Sequence, residues 1–288
     1  MTGRRPSGLG LARIGGMWRV TRPWHPALRP YLRTYAGYWE EVRTPYRVLM
    51  MPTGNANVVI QLAEPFADVD RLGRPGGHSG HSGPIGSLVV GPEDRPALCV
   101  HHGGQESIRL QFTPLGAYRL LGMPMRELTN QVVELEDLLG PEAGELVQRL
   151  AATPDWSARF DLLDQALLTR LDRGPDPAPE VRHAWRLLTD TAGTIPVGRI
   201  AGEVGWSHGH LVRRFTEQTG LSPKTAARVL RFQRALRLLA RGNASLAEIS
   251  AVCGFFDQAH LNREFRALAD TSPRRLTTMR RTEGGLAR

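Results

Sequence analysis

Arg213, Gln258, Asn262 and Arg263 share one chemical ability. Each can set two hydrogen-bonding groups side by side against the edge of a DNA base. That ability matters only where a rigid element projects the side chains from one face and where charge draws a polyanion. The charge is in place. Residues 193–288 hold 16 of the 37 Lys and Arg against 7 of the 28 Asp and Glu, so the net charge of +9 lies wholly in the last third. Residues 1–192 balance, at 21 against 21. A neutral front and a basic back point to a tail domain that meets nucleic acid.

Two segments must position the readers, "IAGEVGWSHGHLVRRFTEQTGLSP" at 200–223 and "ISAVCGFFDQAHLNREFRALADTSP" at 249–273, and they repeat one pattern. Ile200 matches Ile249 and Gly205 matches Gly254 at an offset of 49. From Ser207, which matches Asp257, the offset is 50 through His210, Leu211, Arg213, Phe215 and Ser222-Pro223, so the second copy carries one extra residue in its turn. In each copy a short apolar helix ends at a glycine, which suits the left-handed backbone of a helix exit. An aromatic follows, Trp206 or Phe255, and then an N-cap, Ser207 or Asp257. The next helix buries Leu211 and Phe215, or Leu261 and Phe265, at i, i+4. This is helix–turn–helix, with units at 197–219 and 246–268. The opposite face carries Gly209, Val212, Arg213 and Thr216 in the first copy, and Gln258, Ala259, Asn262, Arg263 and Arg266 in the second.

Between the copies, "SPKTAARVLRFQRALRLLA" (222–240) opens with a cap and has no internal breaker, which predicts a single helix of about 28 Å. A rod of that length can hold two reading helices about one DNA turn, ~34 Å, apart. Its arginines at 228, 231, 234 and 237 divide between phosphate contact and a solvated face.

Residues 181–280 resemble the DNA-binding domain of the AraC/XylS family of bacterial transcription regulators. The motifs that carry the resemblance are "IAGEVGWSHGHLVRRF…TGLSP", "RFQRALRLL" and "EISAVCGFFDQAHLNREF…SP". The resemblance implies base contacts at Gly209, Val212, Arg213, Gln258, Ala259, His260, Asn262 and Arg263. Phosphate contacts are expected at Ser207, His208, Lys224, Arg228, Asp257, Arg266 and Arg274. Gly209 and Val212 stand where many members carry larger polar or aromatic groups, so the first helix is expected to read few bases directly. Thr225-Ala226 replaces the aromatic common after "SPK", a change in packing alone.

Ahead of this, "DRGPDPAPE" (172–180) reads as a linker. Short β-type runs such as "YRVLM", "NVVIQLA" and "ESIRLQFT" fill 31–113, and helical patterns, "VELEDLLG" among them, fill 115–171. The fold class expected is α+β: a β-rich barrel or sandwich with a helical appendage, then an all-α domain with two helix–turn–helix units. The boundaries expected are an N-terminal extension over 1–30, an effector or dimerisation domain over 31–172, a linker over 173–180, the DNA-binding domain over 181–282 and a tail over 283–288. Tyr35, Tyr38 and Trp39 are candidate pocket residues, with ordinary core packing as the competing role.

His78, His81, His101 and His102 invite a metal reading, but "GGHSGHSG" is a glycine-rich loop and no matching Glu or His spacing accompanies it. No metal and no cofactor is expected. No Ser-His-Asp set, phosphate-cradling glycine loop or nucleophilic cysteine motif occurs, so an enzyme is not expected. Cys99 and Cys253 make no disulfide framework, and no run approaches the ~18 apolar residues of a membrane span. Those features fit a cytoplasmic protein. "MWRVTRPW" from Met17 is an alternative start of the chain. The expected function is a sequence-specific DNA-binding transcription regulator whose front domain senses a small effector or mediates dimerisation. Its partners would be double-stranded DNA, a small-molecule effector, RNA polymerase and a second copy of the chain, with no membrane. The rival reading is an effector-binding or enzymatic barrel with a basic tail that grips nucleic acid non-specifically; a recombinase subunit lacks a visible acidic triad.

Overall fold

The computed structural model describes residues 9–14, 17–40, 46–63, 69–70, 86–101 and 104–282. Ten strands occur among them: β1 (Gly10–Ile14), β2 (Met17–Thr21), β3 (Leu32–Glu40), β4 (Tyr46–Met50), β5 (Ala56–Gln61), β6 (Val69–Asp70), β7 (Leu88–Val90), β8 (Ala97–His101), β9 (Glu106–Phe112) and β10 (Val132–Glu134). They form two antiparallel sheets, one of seven strands in the order β1-β2-β3-β9-β5-β7-β10 and one of three in the order β4-β8-β6. Ile108, Leu110 and Phe112 alternate with Ser107, Arg109 and Gln111 along β9, so the large sheet has an apolar and a polar face.

The apolar face packs against α1 (Pro114–Leu121), α3 (Pro141–Ala152) and α4 (Trp156–Arg173). Burial of each such Leu or Phe contributes about 1.5–3 kcal/mol. Polar clamps fix α4 in place: Tyr35 donates to the Phe160 carbonyl at 3.0 Å, and Arg159, almost fully buried, pairs with Glu106 at 2.5 Å. Arg22 bridges Asp161 and Asp164 at 2.7 and 2.8 Å. The polar face of the large sheet looks across a cavity to the small sheet, which makes the expected sandwich.

Three expectations need correction. The sheet starts ahead of residue 31, because β1 and β2 form a hairpin in register with β3, with Trp18 opposite Trp39 and Val20 opposite Gly37. "VELEDLLG" is helical only from Leu135, where α2 (Leu135–Leu139) begins; β-branched Val132 and Val133 pair with β7 as β10. Of the three candidate pocket aromatics, Tyr38 alone lines the cavity between the sheets. Tyr35 is spent in the core, and Trp39 stacks between Trp18 and Trp156 at centroid distances of 5.8 and 6.0 Å. His78, His81 and His102 lie outside the described residues, among which no metal-holding cluster occurs.

After α4 the chain runs through prolines to seven helices with a separate core: α5 (Pro179–Asp190), α6 (Val197–Glu203), α7 (His208–Thr219), α8 (Pro223–Arg241), α9 (Leu246–Val252), α10 (Gln258–Ala269) and α11 (Pro273–Thr282). The rod α8 is 19 residues long, capped by Ser222. Its Phe232 meets Phe265 edge-on at 4.9 Å in the middle of that core. Among the described residues no helix is long and apolar enough to cross a membrane.

Candidate nucleic-acid interface

The two turns repeat at the level of hydrogen bonds. Gly205 N–H donates to the Gly202 carbonyl at 3.2 Å and Trp206 N–H to Ala201 at 3.0 Å; forty-nine residues on, Gly254 donates to Ala251 at 3.2 Å and Phe255 to Ser250 at 2.9 Å. Both glycines have φ near +70° (69° and 72°), the left-handed conformation that a side chain at that exit would strain. Ser207 accepts from His210 N–H at 3.3 Å, and Asp257 from His260 N–H at 2.6 Å, which satisfies an otherwise orphaned donor at the start of α7 and of α10. Leu211, Phe215, Leu261 and Phe265 are fully buried. Each of α7 and α10 is therefore held by its own turn and its own apolar pair, with its opposite face largely exposed.

On α7 that face shows Gly209 and Arg213 exposed and Val212 half-buried. On α10 it shows Gln258, Ala259 and Arg263 exposed, with Asn262 half-buried. His260 is turned inward: its Nδ1 accepts from Phe256 N–H at 3.3 Å and its ring meets Phe255 at 5.4 Å. The extra residue of the second turn is Phe256, and it is 93% exposed. The one-residue shift in the repeat's offset marks this insertion in the sequence, but only the structure shows that the inserted ring is left outside.

The residues expected at phosphates separate in the same way. Ser207, His208, Lys224, Arg266 and Arg274 are exposed. Asp257 is a cap whose carboxylate is already engaged, so its backbone is what it offers an anion. Arg228 is half-buried and pairs with Glu264 of α10, which braces the second reading helix against the rod. Arg231 donates to the Gly193 carbonyl at 2.7 Å, and burial lowers its guanidinium from the ordinary value. These two arginines of the rod are structural braces; Arg237 is exposed.

The family description "helix-turn-helix domain" matches residues 200–279, both turns, α7 and α10 included. Residues 200–279 thus match a helix-turn-helix domain family. A second description, a domain of unknown function (DUF6597), matches 21–134. RhaS, an HTH-type transcriptional activator of Escherichia coli, is 36% identical to this chain over 91 residues, 32% of either chain. An uncharacterised HTH-type transcriptional regulator of Bacillus subtilis, YbfI, is 28% identical over 141 residues, 47% of this chain and 48% of its own. The chain thus spans half or less of the length of these relatives. Among solved structures, an AraC-type regulator from Chromobacterium violaceum is 28% identical over 36% of this chain and 94% of that one, with a TM-score of 0.34.

Proposed function

We propose that the chain is a sequence-specific, DNA-binding transcription regulator acting in the cytoplasm, with the AraC-type domain as its reading head. The observation that carries this is the doubled turn, with the same cap, glycine exit and backbone bonds, each presenting an exposed helix face. Gln258, Asn262 and Arg263 on α10 read bases, Arg213 contributes from α7, and Gly209 and Val212 let α7 approach the groove closely. Ala259 contributes an apolar contact, while His260 holds the turn. Ser207, His208, Lys224, Arg266 and Arg274 hold phosphates, together with the helix N-termini. The part of the chain up to α4 senses a small effector or joins two copies, and the bound regulator acts on RNA polymerase.

The test is Arg263→Ala in the full chain, with DNA affinity measured by fluorescence anisotropy on a preferred site and on scrambled DNA. A loss of about 1–3 kcal/mol on the preferred site alone, with scrambled DNA little changed, is the expected result. Equal affinity of variant and parent for the preferred site would remove α10 as a reader.

A further inference from the structure

The cavity between the two sheets encloses about 280 Å³. One wall is the polar face of the large sheet, where Asn57, Arg109 and Gln111 project, and the facing wall includes Cys99 of β8. Gln111 donates to the Asn57 side-chain carbonyl at 3.1 Å, which leaves one end of each amide for another partner. Arg109 lies with its guanidinium carbon 4.8 Å from the Tyr38 ring centroid. Its Nε and Nη2 are shut off from solvent and have no hydrogen-bond partner among the described residues. Among the described residues no carboxylate is recorded in an ion pair with it; Glu93 also lines the cavity.

Nε and Nη2 form one edge of the guanidinium, the edge that grips two oxygens of a carboxylate or phosphate at once. Donors shut off from solvent without a partner are costly to the fold, so a cavity that keeps two of them on the half-buried Arg109 is built for something that completes them. We propose that this cavity binds a small organic anion, its carboxylate or phosphate held by Nε and Nη2 of Arg109 and its body by the free amide ends of Asn57 and Gln111. The volume suits a metabolite of few atoms rather than a long chain. This rests on the reading of the front domain as a sensor and names the ligand class for it. It also supplies a route outward. Thr53 and Asn55 line the cavity, while their neighbours Pro52 and Gly54 touch the reading head: Pro52 accepts from Gln233 Nε2 of the rod at 2.6 Å, and Gly54 lies over Val229 of the rod and Leu221 just ahead of it.

The experiment is thermal unfolding of the full chain with benzoate, butyrate or inorganic phosphate, against the uncharged benzamide and butyramide, in parent and Arg109→Met. The expected result is that at least one anion raises the midpoint saturably while its amide does not. The apparent Kd should weaken by about tenfold or more in Arg109→Met. Benzoate or butyrate alone would name a carboxylate, and phosphate alone a phosphate ester. Equal shifts by acid and amide, a shift that survives in Arg109→Met, or no shift by any anion at millimolar concentration would overturn the proposal. Without additive, Arg109→Met should unfold no earlier than the parent, since two buried, unpartnered donors have been removed; a lower midpoint would make Arg109 structural and also overturn it. DNA preference of the same preparations is measured in parallel. Anion binding without sequence preference leaves the site standing and removes the regulator; sequence preference without anion binding removes the site alone.

Discussion

At the scale of single residues, the side chains that matter most are those the fold leaves unsatisfied or uncovered. Phe256 is the clearest on the reading head. An exposed Phe gains nothing for the core, yet it sits one residue ahead of the Asp257 cap, at the end of α10 that the proposed function sets against DNA. Phe256→Ser is therefore expected to leave the unfolding midpoint within about 2 °C, because surface changes of this kind stay within roughly ±0.5 kcal/mol. DNA affinity should fall, through lost apolar contact with sugar or thymine methyl. Parallel melting and anisotropy measurements check this; a fall in midpoint with unchanged affinity would make the ring a packing residue. Cys99 illustrates the opposite case. Burial pushes its thiol up to about 11, against the pull of Arg109, so it stays protonated and works as a small apolar lining of the cavity.

At the scale of elements, α7, α9 and α10 each start on a side-chain cap. Ser245 and Glu248 form a reciprocal capping box at the start of α9: Glu248 N–H donates to the Ser245 hydroxyl at 3.2 Å, and Ser245 N–H to the Glu248 carboxylate at 2.7 Å. Those hydrogen bonds hold the Glu248 carboxyl below its ordinary value. A carboxyl depressed in the folded state stabilises above its unfolded pKa, and that contribution is lost as pH falls through the folded value. The midpoint difference between parent and Glu248→Ala should thus be widest near neutral pH and close on acidification below about pH 4. A difference that is flat across the same titration would show that the carboxylate does not hold the cap. The local signals of caps, exit glycines and i, i+4 apolar pairs are what made both helix–turn–helix units and the rod legible from sequence. Each is settled within a few residues of chain. The cavity was not legible for the converse reason. Alternating Ser107, Arg109 and Gln111 reads as a solvated sheet face, and only the pairing of β4 with β8, set by contacts distant in the chain, puts a second sheet over it.

At the scale of the whole molecule, the two cores meet through groups that look ordinary in sequence. Thr129 donates to the Gly220 carbonyl at 2.5 Å across 91 residues, and Gln233 to Pro52 across 181. Met51 and Leu115 add apolar contact to the helical core. Gly220 ends α7 and the rod starts at Pro223, so the front domain touches the reading head next to its first reading helix. An effector that moves the turn at 51–55 would act on the rod that spaces both readers. The central claim is that the paired units read DNA together. Selection of random duplex DNA by the full chain, sequenced after several rounds, tests it most directly. The account predicts a bipartite site, a more sharply defined half for α10 and a weaker half for α7, with centres about 10–10.5 base pairs apart. Bound DNA of random sequence would contradict it, and would reduce the doubled turn to a basic surface without a code.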